Sequence, residues 1–304
     1  MEKLFLKLSG RSKINKMIIM ISIIIPTLNE EKLLPRLLQN IKDQTFKDYE
    51  IIVADADSTD RTREIAQSFG CKVIKGGMPG PARNNGAEAA SGDYFVFFDA
   101  DVSIDEYFLE KAFEEFQKRY LEITTCDYIP DSDDGSYSAL FDLYNSFNHT
   151  LQYVKPSSLG SFMMMTRRLF FRLGGFDESI KLGEDFEMVK RASKISKFRI
   201  LENVSINISV RRIEKEGVFK YITRNIRSEL YRAFIGEITD TDVIEYEFGN
   251  YDSKKDKKEL KDSLKKLKFS VNNAKKNQQL KKWFNDLINN GPKRQKRKLS
   301  KNIK

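Results

Sequence analysis

Apolar positions along the first 125 residues switch repeatedly between two periods, with a turn signal at each switch. Residues 22–25 are a continuous apolar run of strand length, and Leu33, Leu34, Leu37, Leu38 and Ile41 then recur on one helical face, with Asn29 as the expected N-cap. Residues 49–53 read as a second strand. Ile65, Ala66 and Phe69 mark a second helix, with Ser58 and Asp60 as cap candidates. Residues 72–74 form a short third strand, and Pro81 suits the first turn of a helix carried by Ala82, Ala87, Ala89 and Ala90. A strand over 94–98 and a helix over about 105–119 complete the series. Strand and helix alternating through short connections predict an α/β, Rossmann-like, mostly parallel sheet with helices on both faces. Such sheets bind ligands beyond the carboxyl ends of their strands.

After residue 125 the alternation loosens. Asp131-Ser132-Asp133-Asp134-Gly135 reads as an acidic loop, followed by a helix over 138–153, a strand over 162–165 and a helix over 167–173 that Gly174-Gly175 would end in left-handed geometry. A helix near Glu184, strands over 198–201 and 204–210, and a helix over 218–234 follow. In the last part, Leu260, Leu264, Leu267, Val271 and Ala274 are spaced as the seam of one amphipathic helix, and Trp283, Phe284, Leu287 and Ile288 form a second apolar cluster. These boundaries divide the chain into an N-terminal extension over 1–16, expected to be a disordered leader, a catalytic-sized domain over 17–235 and a basic, largely helical region over 236–304.

Charge sharpens that division. The chain of 304 residues has 53 Lys and Arg against 44 Asp and Glu, a net +9. Residues 251–304 hold 19 basic and 5 acidic side chains, or +14, so residues 1–250 are left at −5. A basic amphipathic helix suits an anionic membrane surface, the parent domain or a partner, and 293–298 reads as a basic tip. No apolar run approaches the roughly 18 residues of a membrane helix. The run 17–26 follows basic residues as an export signal would, but no small-residue cleavage site succeeds it, so a cytoplasmic protein is expected, with peripheral membrane contact through the basic tail. Two cysteines, Cys71 and Cys126, and one histidine, His149, leave little material for disulfides, zinc or histidine catalysis. Beyond Tyr251 the aromatic residues of the tail are confined to Phe269 and Trp283-Phe284, so no nucleic-acid partner is expected.

The chemistry concentrates after strands. Asp99-Ala100-Asp101 follows the 94–98 strand, and positions i and i+2 on one side offer hard oxygen ligands to Mg2+ or Mn2+; the same pattern also serves turns and helix caps. Asp55 follows the second strand, where a carboxylate accepts hydrogen bonds from a ribose or base, or caps the next helix. Gly80, Pro81 and Ala82 allow close backbone approach, and Arg83 could reach a base or phosphate. Asp185, opening a helix beside Glu184, suits either a general base or an N-cap.

Six blocks carry a resemblance: Ser22-Ile23-Ile24-Ile25-Pro26-Thr27-Leu28-Asn29-Glu30-Glu31, Asp55-Ala56-Asp57-Ser58-Thr59-Asp60-Arg61-Thr62, Ala82-Arg83-Asn84-Asn85-Gly86, Asp99-Ala100-Asp101, Gly174-Gly175-Phe176-Asp177-Glu178 and Glu184-Asp185. In order and spacing they resemble glycosyltransferase family 2 over about residues 20–235. The resemblance implies a GT-A fold and inverting transfer of a hexose from a UDP-, GDP- or dTDP-linked donor. It places Pro26 and Asp55 in the nucleotide pocket with Thr27 and Glu30 beside it, Asp99 and Asp101 at ribose, diphosphate and Mg2+ or Mn2+, and Asp185 as the base. Ser209-Val210-Arg211-Arg212 resembles a Ser-x-Arg-Arg element of smaller members, implying Arg211 or Arg212 at the departing diphosphate, against a plain surface charge. Ala56 and Asp57 depart from the usual second acid and glycine. The Gln/Arg-x-x-Arg-Trp block of polymer-forming members is missing, which implies a non-processive enzyme, and the basic, amphipathic appendage points to a glycan or lipid-linked acceptor in cell-envelope glycan synthesis. Two rival readings are a sugar nucleotidyltransferase, which would need a glycine-rich basic loop in place of Pro26-Thr27-Leu28-Asn29-Glu30, and an inactive protein that binds anionic polymer or membrane.

Overall fold

The computed structural model describes residues 19–217 and, beyond them, 221, 224, 225, 228, 231, 232 and 236–240. The 1–16 extension, the seam from Leu260 to Ala274, the Trp283 cluster and the 293–298 tip lie outside the described residues. So does part of the 218–234 helix, whose described members Tyr221, Arg224, Asn225, Ser228, Tyr231 and Arg232 are helical.

The apolar runs become the centre of an eight-stranded sheet. Strands β1 (Ile21–Thr27), β2 (Tyr49–Asp55), β3 (Lys72–Lys75) and β4 (Tyr94–Phe98) are joined through helices α1 (Leu34–Asp43), α2 (Thr62–Ser68) and α3 (Pro79–Ala89). They pair in parallel in the order β3-β2-β1-β4. All seven residues of β1 are buried, as expected of a strand covered on both faces. Alternation distributes them: Ile21, Ile23, Ile25, Val96 and Phe98 meet α1 and α4 (Phe108–Lys118), whereas Ile24, Phe95 and Phe97 meet α3, α6 (Arg167–Leu173) and α7 (Glu184–Ala192). On the second face, Phe95 and Phe97 pack against Phe170, and Phe97 meets Phe176 edge-on at 5.4 Å between centroids, which secures the turn after α6.

The second half completes a mixed sheet, in the order β4-β7-β6-β8-β5. β7 (Phe162–Thr166) runs antiparallel to β4 and to β6 (Ile123–Asp131), β8 (Phe198–Ser209) is parallel to β6, and β5 (Val102–Ser103) is a two-residue antiparallel edge. The two expected strands over 198–210 are therefore one strand, which shifts register against β6 between Thr125 and Asp127. Glu202-Asn203 resembles a turn, but the Glu115 carboxylate accepts from both backbone N–H groups and so holds the chain through the irregularity.

Asn29 is not a helix cap. Its φ of 56° is left-handed, its Oδ1 accepts from the Thr59 N–H, and α1 begins at Leu34 with Pro35 in its first turn. Asp60 does serve α2, accepting from the Thr62 N–H, while Ser58 turns to Asp55. α3 starts at Pro79, earlier than Pro81 alone predicts. The helix expected over 138–153 starts sooner, as α5 (Gly135–Leu151) with Asp134 at its cap, and α8 (Arg211–Glu216) follows β8. α6 ends as expected, at Gly174 with φ 77°. Among the described residues no helix is long and apolar enough to cross a membrane.

Candidate active site

Parallel strands bring their carboxyl ends to one edge, and the acidic residues sit there because they are the first polar positions after each apolar run. Thr27 and Asp55 are register partners at the ends of β1 and β2. Asp55 is buried at 3% exposure and fully engaged: Thr27 Oγ1 donates to Oδ2 at 3.0 Å, and Ser58 donates through its N–H to Oδ1 at 2.9 Å and through Oγ to Oδ2. Pro26 lies between, buried in β1 and in register with Ala54. The loop beyond β1 and the loop beyond β2 are stitched together by Ser58, Asp60 and Thr62, which accept from the N–H groups of Asn29, Glu31 and Glu30.

Beside them, Glu30 is buried, and Arg211 donates to its Oε1. Its Oε2 has no hydrogen-bond partner among the described residues. Burial pushes the Glu30 carboxyl up to about 7; Arg211 opposes the shift, and Asp101 and Asp99 add to it. Arg211 also lies 3.4 Å from Asp101 Oδ2. Asp101 is raised as well, chiefly by burial, with Arg211 and then Arg212 pulling against it and Asp99 adding to it. Arg212 is thus near enough to bear on the same group.

The other side of the edge is organised by Arg83. Its guanidinium, only 3% exposed, donates to Asp99 Oδ1 at 2.9 Å, to Glu184 Oε1 at 2.6 Å and to the Gly160 carbonyl at 3.3 Å, above the ring of Phe176. Ser161 Oγ completes the hold on Asp99 at Oδ2, and the Ser161 carbonyl accepts from the Asp99 N–H. Arg83 therefore faces carboxylates and a loop carbonyl. Sequence reasoning passed over Glu184, Gly160 and Ser161 as participants; Glu184 had one signal, its place beside Asp185.

Asp185 is delivered by a turn that Asn84 clamps. The Asn84 side chain accepts from the Phe176 N–H at 2.8 Å and donates to the Phe176 carbonyl at 2.9 Å. A Cβ at Gly175, whose φ is 74°, would stand 2.6 Å from Asn84 Oδ1, so only glycine lets the turn approach α3 this closely. From that turn the chain reaches Gly183, at φ 87°, and enters α7 with Glu184 and Asp185 in its first turn. Asp185 Oδ1 accepts from the Phe186 N–H. Burial pushes the Asp185 carboxyl up to about 7, and Glu184 adds to the shift while Arg83 and Arg232 oppose it. The structure thus gathers Pro26, Thr27, Glu30, Asp55, Arg83, Asp99, Asp101, Asp185, Arg211 and Arg212 along one edge of the sheet.

His149 stands apart from this edge, its Nε2 2.9 Å from Asp127 Oδ1. Both cysteines are free and buried, and burial raises both thiols.

A model of the glycosyl transferase family 2 matches residues 22–174, half of the chain. The chain is 32% identical over 126 residues, 39% of its length, to an uncharacterized glycosyltransferase, EpsJ, of Bacillus subtilis, and covers 36% of that protein. It is also 32% identical over 113 residues to the GalNAc(5)-diNAcBac-PP-undecaprenol beta-1,3-glucosyltransferase of Campylobacter jejuni, covering 34% of this chain and 36% of the relative. Among solved structures, the mannosyltransferase PcManGT of Pyrobaculum calidifontis, in complex with GDP-Man and Mn2+, superposes with a TM-score of 0.55 at 21% identity over 68% of this chain and 64% of its own. That likeness shows the GT-A fold. The chain spans between 36% and 59% of the length of the first curated relatives it matches.

Proposed function

The chain belongs to glycosyl transferase family 2, and from that premise we propose that it transfers a sugar from a nucleoside diphosphate to an acceptor hydroxyl by single displacement with inversion. One observation carries the reading. A buried guanidinium, Arg83, ties Asp99 on the donor side to the Glu184-Asp185 helix start, so the group that would receive a proton and the group that would meet the leaving diphosphate are held in one rigid frame.

In this reading Pro26, Thr27 and Asp55 line the nucleoside pocket, with Glu30 at its margin. Asp185 accepts the acceptor hydroxyl's proton as the acceptor oxygen bonds to the anomeric carbon and the bond to the diphosphate oxygen breaks. A carboxyl raised to about 7 suits a base working near neutral pH. Arg211, with Arg212 behind it, supplies positive charge toward the departing diphosphate. Arg83 positions Asp99 directly and Asp185 through its neighbour Glu184, as the contacts of its buried guanidinium favour.

A divalent ion fits the donor set. Asp101 and Asp99 push the Glu30 carboxyl up, Asp99 does the same to Asp101, and one buried oxygen of Glu30 has no hydrogen-bond partner among the described residues, which marks a site with room for more positive charge. Among the described residues no group of three or more His, Cys, Asp and Glu side chains could hold a metal alone. Asp99 and Asp101 would therefore hold Mg2+ or Mn2+ as Mg2+ is commonly held, by one or two carboxylates with phosphate oxygens completing the shell. When bound, the ion would neutralise charge on the leaving diphosphate. The name of the Campylobacter relative points to a lipid-linked glycan acceptor, and a basic tail beside the membrane suits one.

The test is a thermal-shift screen of UDP-, GDP- and dTDP-sugars with Mn2+, Mg2+ or EDTA. One nucleotide class should raise Tm with the metal and much less with EDTA, since a ligand bound only to the native state stabilises it by about 2.7 kcal/mol at a hundredfold excess over Kd. Asp99→Ala or Asp101→Ala should remove the metal dependence. No shift with any donor would contradict the reading.

A further inference from the structure

The geometry points to the outward face of α5 as the docking site for this chain's own segment over 260–274. α5 shows its inner residues Tyr137 and Phe141 to the core, yet its outward side also carries an apolar strip, beside the polar positions Ser138, Asp142, Ser146 and Thr150. Leu143 is 66% exposed, Phe147 46% and, just beyond the helix, Tyr153 66% and Val154 68%. Ala139 is exposed too, so 139, 143 and 147 form one apolar helical stripe, which Tyr153 and Val154 continue past the helix end. Asp142 is the only charged side chain among the exposed residues of α5, in a chain that is 32% charged. Among the described residues the Arg199 guanidinium lies over the Tyr153 ring, 4.4 Å from its centroid, and leaves Leu143 and Phe147 open to solvent. A contiguous apolar stripe of that kind marks a surface that is covered in use.

The chain carries a matching strip. Leu260, Leu264, Leu267, Val271 and Ala274 repeat at helical spacing, and a helix in that register would offer an apolar row of about 21 Å, at ~1.5 Å per residue, to the α5 stripe and the Tyr153-Val154 turn that continues it. Charge favours the pair as well. The segment lies in a region of +14, whereas residues 1–250 carry −5; Asp133 precedes α5 and Asp142 lies on its face, with Lys155 and Arg199 at the far end. Reach does not limit it: the 20 residues from Asp240 to Leu260 extend to about 66 Å, more than the width of a domain with a radius of gyration of about 17 Å. The docked face bears on the site, because α5 runs into the loop that presents the Gly160 carbonyl to Arg83 and Ser161 to Asp99.

The test uses the full chain and measures amide hydrogen exchange over residues 139–151. In L264D/L267D, exchange there should accelerate about tenfold or more, and L143D should release the segment 260–274 in the same way. Leu143→Cys with Leu267→Cys should oxidise to a disulfide within one monomer, the native cysteines being buried. Unchanged exchange in L264D/L267D would overturn the proposal. So would cross-links found only between two chains, or protection of α5 that appears only with phosphatidylglycerol vesicles, which would assign the face to a second copy or to a membrane.

Discussion

Asp185 and Glu30 are both carboxyls that burial pushes up to about 7, but their surroundings differ. Each holds its proton more tightly folded than unfolded, so the stability each contributes is full below the ordinary carboxylate range near 4 and is lost as pH rises through about 7. Asp185→Asn keeps an acceptor for the Phe186 N–H and removes the buried charge. Denaturant unfolding should therefore find it as stable as the native chain, or more so, at pH 8, with a flatter pH profile. Glu30 depends on Arg211. Arg211→Ala leaves the carboxylate without its partner, and urea titration should show a loss of about 3 kcal/mol at pH 8 that shrinks by pH 6, where Glu30 takes up a proton. An equal loss at both pH values would mean that Arg211 stabilises by packing rather than by charge.

At the level of elements, glycines record where the fold permits no side chain. A Cβ at Gly86 would meet Ile24 Cγ2 at 2.3 Å, so α3 lies directly on β1, and Gly86→Ala should lower stability by about 1–3 kcal/mol in a melting experiment. Gly160 is different: its Cβ would stand 2.8 Å from an Arg83 nitrogen and 3.0 Å from Asp185 Oδ2. Gly160→Ala should leave Tm within a few degrees and cut the transfer rate at least tenfold, since it displaces the frame rather than the core. The parallel strands and their helices were legible because burial on both faces writes an unbroken apolar run, as in β1. β5, with two residues, and the antiparallel direction of β7 leave no such trace. Asn29 misled because its short polar side chain suits both a cap and the left-handed turn it adopts. Asp55, Asp99 and Asp101 were legible as the first polar residues beyond strands. Arg83's buried bonds to Asp99 and Glu184 were not, because partners so far apart in the chain have no common local pattern.

For the whole molecule, the carboxylates gather at one edge of the sheet, and the positive charge of the sequence concentrates in residues 251–304, at +14. In the proposed reaction Asp185 receives the acceptor's proton while Arg83 and Asp99 hold the donor side in register with it. The measurement that tests this most directly sets the single-turnover transfer rate of Asp185→Asn beside its donor affinity, using the donor found in the thermal-shift screen. The rate should fall about 10²–10⁴-fold with donor Kd nearly unchanged, and the native rate should rise with pH through about 7. A variant that turns over at the native rate, or one that loses donor binding and rate together, would contradict it.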